Sequence, residues 1–129
     1  MELDFAKLDS LIAAVIQDHA TREVLMLGFL NAEALEKTRR TGEVHFYSRT
    51  RKRLWKKGET SGHVLRVRQV LFDCDADSLL ILVDAVGPGV CHEGYRSCFF
   101  RELAPDGGSH VIAERAFAVE DVYGKKGAE

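Results

Sequence analysis

A chain of 129 residues with 46% hydrophobic and 29% charged side chains has the make-up of one globular domain, large enough for a core and too small for two. Eighteen Lys and Arg against twenty Asp and Glu leave a net charge of −2, which excludes a nucleic-acid protein held by overall charge. No apolar run approaches the ~20 residues that span a bilayer, and no hydrophobic signal-peptide core follows Met1, so a cytoplasmic protein with no membrane partner is expected.

In chain order, residues 11–17 and 24–30 are apolar runs containing β-branched side chains. The polar stretch between them predicts a hairpin. Asn31 is a good N-cap, Glu33 suits the positive end of a helix dipole, and Ala34, Leu35 and Thr38 continue a short helix. Lys37, Arg39 and Arg40 sit near its C-terminus and Gly42 is the stop. Residues 44–48, 64–72, 79–83 and 98–103 read as strands, with 111–119 as a further candidate. Gly87-Pro88-Gly89 breaks the chain between 79–83 and Cys91. Residues 124–129 read as a frayed tail. The prediction is a mostly β, α+β chain with one clear helix.

Chemistry concentrates in two segments. Residues 73–77 read Asp-Cys-Asp-Ala-Asp, followed by Cys91-His92 and Cys98, and these are all the cysteines of the chain. If 73–77 is extended, side chains alternate, with Asp73, Asp75 and Asp77 on one face and Cys74 on the other. Hard carboxylate oxygens suit Mg²⁺ and soft thiolates suit Zn²⁺. An odd number of cysteines in a cytoplasmic setting argues against a disulfide framework, whereas three thiolates leave a zinc its fourth position open for water. His92 is a possible fourth ligand, and three plainly buried cysteines are the bland alternative. The flanking Glu93 and the glycines at 87, 89 and 94 suit a tight polar loop better.

The second segment is Trp55-Lys56-Lys57-Gly58-Glu59-Thr60-Ser61-Gly62-His63. Its cations, hydroxyls and glycines suit phosphate recognition, although it matches no standard phosphate loop, and a solvated hairpin turn is the plain alternative. Six of the nine residues from Arg49 to Lys57 are basic. Trp55 reads as a packing residue and His45 as a strand residue rather than a ligand.

Together these segments resemble the phosphoribosyl-AMP cyclohydrolase family. The resemblance lies in Asp73-Cys74-Asp75-x-Asp77, in Cys91-His92-x-Gly94-x-x-Ser97-Cys98-Phe99 and in residues 55–63. It is supported by Glu23-Val24-Leu25-Met26-Leu27, Asn31-x-Glu33-Ala34-Leu35 and His45-Phe46-Tyr47-Ser48-Arg49. It covers about residues 10–103. The stretch from Pro88 to Cys91 is one residue longer than is common in the family, and residues 103–129 lie outside the motifs.

The resemblance implies a single-domain, mainly antiparallel β protein forming an intertwined cytoplasmic homodimer. It would open the adenine ring of N1-(5-phosphoribosyl)-AMP between N1 and C6 with Zn²⁺ and Mg²⁺, as the third step of L-histidine biosynthesis. Residue by residue it assigns zinc to Cys74 of one chain with Cys91 and Cys98 of the other. Magnesium goes to Asp73, Asp75 and Asp77. Zinc lowers the pKa of bound water to ~7 in favourable sites, but three thiolates temper that acidity, so a nearby base is expected. His92 is the first candidate and His63 the second. Arg49, Lys56, Lys57, Thr60 and Ser61 are the candidates for the two phosphates of the substrate. A zinc-stabilised RNA-binding module would account for the basic stretch and Trp55 but not for the acidic triplet. A zinc deaminase needs His-x-Glu with Pro-Cys-x-x-Cys, and neither occurs.

Overall fold

Every second residue of the first strand, β1 (Ile12–Asp18), is buried, which is the period-two pattern of a sheet with one face on a core. A computed structural model of the protein describes residues 2–123; the expectation of a frayed tail at 124–129 lies outside them. β1 pairs antiparallel with β2 (Val24–Leu30). Asp18 caps the turn between them, its Oδ1 accepting from the amides of Ala20 and Thr21 at 2.9 Å each.

Helix α1 (Ala32–Thr41) follows as read. The Asn31 side chain accepts from the Ala34 amide at 2.8 Å, and Gly42 ends the helix at φ 75° with its N–H on Thr38 O. Thr38 is fully buried, its hydroxyl donating to Ala34 O at 2.8 Å and accepting from the His45 amide at 2.9 Å. That pair docks the helix on β3 (His45–Ser48), which forms a two-stranded ribbon with β4 (Arg53–Lys56). β4 was not foreseen, because its apolar residues Leu54 and Trp55 are adjacent, between Arg53 and Lys56, and show no alternation. Trp55 on it packs on Phe46, ring centroids 5.1 Å apart. Phe46 in turn lies flat on β2 at Gly28, where a Cβ would come within 2.5 Å of the ring.

β5 (Leu65–Phe72) and β6 (Ser78–Ala85) are an antiparallel pair. The main sheet runs β2-β1-β6-β5, and its central pair, β1 with β6, is parallel, with Val15 opposite Leu80. The expected antiparallel architecture therefore holds for every pair but the central one. The core is built from Ile12, Ile16, Leu25, Leu30, Phe46, Leu65, Ile81 and Val83.

Three local expectations are corrected. Residues 73–77 are a turn, not an extended segment: Asp73 N donates to Ser78 O, Ala76 N donates to Asp73 O, and Ala76 has φ 61°. The strand read at 98–103 shortens to β7 (Arg101–Leu103), since Cys98 is held by Leu25 of β2 and Phe99 N by the Ser97 hydroxyl instead. The strand read at 111–119 is only the end of β8 (Ser109–Val111), and the chain closes in a short helix, α2 (Val119–Tyr123).

Candidate active site

The two chemical segments meet beyond the C-terminal end of β6. The loop carrying Cys91 and Cys98 is wound on itself by Val90 N to Arg96 O, Cys91 N to Tyr95 O and Gly94 N to Cys91 O, each 3.0 Å. Gly94, at φ 96°, supplies the left-handed residue of this turn. The loop is then sewn to β2. Cys98 N donates to Leu25 O at 2.7 Å and the Ser97 hydroxyl to Val24 O at 2.7 Å. The Arg96 guanidinium binds Glu23 through Nε and Asp18 through Nη2. Arg96 was not singled out in the sequence, and no local signal could have found it, because its partners lie 73 and 78 residues away.

Cys91 is buried against the stacked rings of Tyr95 and Phe100, and its sulfur accepts from the Glu93 amide at 3.5 Å. The Cys98 residue is exposed, but protein crowds its sulfur. Its thiol is pushed up to about 12, first by lost hydration and then by the neighbouring Cys91, with the charge of Lys57 acting the other way.

Residues 57–63 form the other wall. Lys57 is buried, its ammonium 5.9 Å from the Trp55 ring centre. His63 Nδ1 lies 3.1 Å from Gly89 O, and its ring presses on Gly87, where a Cβ would fall 2.4 Å from Cδ2. A carbonyl only accepts, so Nδ1 carries the proton and Nε2 is the basic nitrogen. His92 is exposed and its ring has no hydrogen-bond partner among the described residues. Of the phosphate candidates, Lys56 pairs with Glu43 at 3.2 Å, Ser61 Oγ accepts from the His63 amide at 3.1 Å, and Thr60 is exposed on the turn. Arg49 stands apart from them, over the Phe29 ring at 4.2 Å. With Tyr47 and Lys52 it lines a cavity of about 410 Å³ that reaches no cysteine.

Cys74 is not in this cluster. It is exposed in the turn before β6, whereas Cys98 hangs from Leu25 on β2, two strands away and level with Leu82, since Val24 pairs with Gln17 and Gln17 with Leu82. Four steps along β6 at ~3.3 Å each and two strand widths at ~4.8 Å each put Leu25 roughly 16 Å from Ser78, where the Cys74 turn ends. Among the described residues, the one group of three candidate ligands lying within 4.8 Å of each other is Asp73, Asp75 and Asp77. The carboxylates converge because the turn wraps them together, not because they alternate. Asp73 Oδ1 accepts from the Asp77 and Ser78 amides. Lys7 Nζ reaches Asp75 and Asp77 at 3.2 and 3.0 Å, which raises the lysine's pKa. Asp75 is held below the usual carboxylate range, first by hydrogen bonding with Asp77 and then by Lys7.

Among the described residues, no helix is long and apolar enough to cross a membrane. The family model for phosphoribosyl-AMP cyclohydrolase matches residues 26–100. A protein of that name from Solibacter usitatus is 55% identical over 127 residues, covering 98% of this chain and 99% of its own. Its namesake from Methanosarcina acetivorans is 54% identical over 124 residues, covering 95% and 99%. That of Nitratidesulfovibrio vulgaris is 50% identical over 120 residues, covering 93% and 94%. The likeness thus extends past Leu103, beyond the motifs, and the chain belongs to the phosphoribosyl-AMP cyclohydrolase family.

Proposed function

We propose that this protein is a zinc- and magnesium-dependent hydrolase that opens the adenine ring of N1-(5-phosphoribosyl)-AMP between N1 and C6, the third step of L-histidine biosynthesis, as a cytoplasmic homodimer. The observation that carries the reading is the junction of residues 57–63 with the Cys91–Cys98 loop, which gathers two sulfurs, a buried lysine and an oriented imidazole.

The donors fit the metals by their chemistry. Lost hydration and a neighbouring thiol both penalise a bare Cys98 anion, and a bound dication would offset both effects. Because Cys74 lies at the other end of β6 from the Cys91–Cys98 loop, a zinc held by all three sulfurs would take Cys74 from one chain and Cys91 and Cys98 from a second. Exposed apolar side chains flank both halves: Leu71 and Phe72 precede the Cys74 turn, and Phe99 follows Cys98. Bringing the halves together would cover them. The all-oxygen set of Asp73, Asp75 and Asp77 suits magnesium, and Lys7 now supplies the positive charge there.

Alkylation at N1 makes the purine amidinium-like, so C6 is already electrophilic; zinc, when bound, would supply the missing nucleophile at neutral pH. His92, beside Cys91, takes the proton of the attacking water. His63 is the second candidate, offering Nε2 because Nδ1 is committed to Gly89. Density shifts toward N1 as C6 becomes tetrahedral, and ionised aspartates cannot donate a proton there. Arg49, Lys56, Lys57, Thr60 and Ser61 are assigned to the two phosphates, with Lys56 exchanging Glu43 for phosphate.

The test is incubation of the metal-loaded protein with N1-(5-phosphoribosyl)-AMP, AMP, adenosine and cytidine. Ring opening of the first alone is expected. Ammonia release from adenosine or cytidine, or no reaction with the first, would overturn the reading.

A further inference from the structure

The segment after β8 lies outside the motifs, yet it is bound to the cysteine loop at several points. Arg115 Nε donates to Glu93 O at 3.0 Å and its guanidinium lies 5.1 Å from the Tyr95 ring centre. Ala116 N and Phe117 N both donate to Gly94 O, at 2.7 and 3.2 Å. Two amides on one carbonyl fix where the Phe117 side chain starts. Its half-buried ring then meets His63 edge to face, centroids 5.1 Å apart at 84°, and a Cβ on Gly89 would come within 3.0 Å of Phe117 Cε1.

His63 is therefore enclosed by three groups: Gly89 O on Nδ1, Gly87 against Cδ2, and Phe117 against the ring. Free histidine can turn about χ2 and exchange its tautomers. Here Phe117 stands edge to face at 5.1 Å and Gly87 lies against Cδ2, leaving little room for a rotation that breaks the Nδ1–Gly89 bond. We propose that Phe117 is a positioning residue, holding His63 as the Nδ1–H tautomer with Nε2 kept for proton exchange. The catalytic side of this inference rests on the proposed reading of the site; the positioning itself does not. An aromatic edge suits the task, since it leaves no hydrogen-bonding group to compete with Gly89 for Nδ1.

The experiment uses full-length, zinc-loaded protein and ¹H–¹⁵N spectra of the histidine rings above their titration range, with the His63 signals identified by their loss in His63→Ala. In the wild type a single Nδ1–H pattern is expected. Phe117→Ala should give mixed tautomers and about a tenfold lower kcat, with KM, zinc content and Tm near normal; tenfold is a fraction of a general acid–base contribution. Phe117→Leu, which keeps bulk but lacks the aromatic edge, should shift the spectrum in the same direction to a smaller extent, and it serves the test if the Ala variant does not fold. Both variants retaining one Nδ1–H pattern and wild-type kcat would overturn the proposal. If His63→Ala turns over normally while Phe117→Ala still mixes the tautomers, positioning stands and the proton role of His63 fails.

Discussion

Arg96 Nη2 lies 2.9 Å from Asp18 Oδ2, joining the cysteine loop to the first hairpin across 78 residues. Asp18 is mostly buried and its carboxyl is held below its usual value, first by the Thr21 amide, then by the Ala20 amide and the Arg96 charge.

That depression has a definite pH sign. A carboxyl with a lowered folded pKa adds stability that is present above its unfolded value of 3.8 and is lost as pH falls through the folded pKa. Asp18→Asn should therefore cost about 1–3 kcal/mol near neutral pH, since its partners lose a charged acceptor. The gap to wild type should narrow as the pH drops below 3.8. Urea unfolding across the acid range measures this, and a constant gap would remove Asp18 as the acid-sensitive group.

Separate half-sites can complement each other. Cys74→Ser and Cys98→Ser should each be inactive, with about one zinc per chain lost. Refolded together at equal amounts, random pairing in a twofold dimer leaves roughly a quarter of the sites intact, so about a quarter of the wild-type activity should return. Proven heterodimers without activity would place all three sulfurs in one chain.

Lys7 occupies the acidic turn with a positive charge of its own. Lys7→Met should tighten Mg²⁺ binding about two- to fivefold, the size expected of an exposed ion pair, and calorimetric titration reads it directly. Asp75→Asn and Asp77→Asn should weaken Mg²⁺ while leaving most zinc bound. Full zinc loss in both variants would merge the two metal sites into one.

His92→Ala should keep its zinc and its substrate affinity but lose roughly 10²–10⁴-fold in turnover. His63→Ala should cost less. A zinc-loaded His92→Ala enzyme with near-normal turnover transfers the base to His63. If zinc leaves as well, His92 is a ligand.

The sequence by itself determined whatever depends on neighbours along the chain. Asn31 and Gly42 bound the helix because capping needs one side chain and one left-handed residue at fixed offsets. The candidate ligands were equally local, since thiols and carboxylates are recognised by residue type alone. The acidic turn shows the limit of that reasoning: period-two alternation suggested a shared face, whereas a left-handed Ala76 and two amides on Asp73 gather the carboxylates by wrapping. Strand β4 was obscured because its apolar pair, Leu54 and Trp55, is adjacent rather than alternating and is flanked by Arg53 and Lys56, and Trp55 finds Phe46 only in three dimensions.

Tertiary structure decided the rest. The parallel pairing of β1 with β6 sets which loops share an end of the sheet, and no spacing encodes it. It brings the Cys91–Cys98 loop to the first hairpin and leaves Cys74 at the other end of β6, while the antiparallel β5–β6 pair brings residues 57–63 to that loop. The return of residues 115–117 onto Gly94 rests on backbone hydrogen bonds, which any sequence can offer and only a fold can aim.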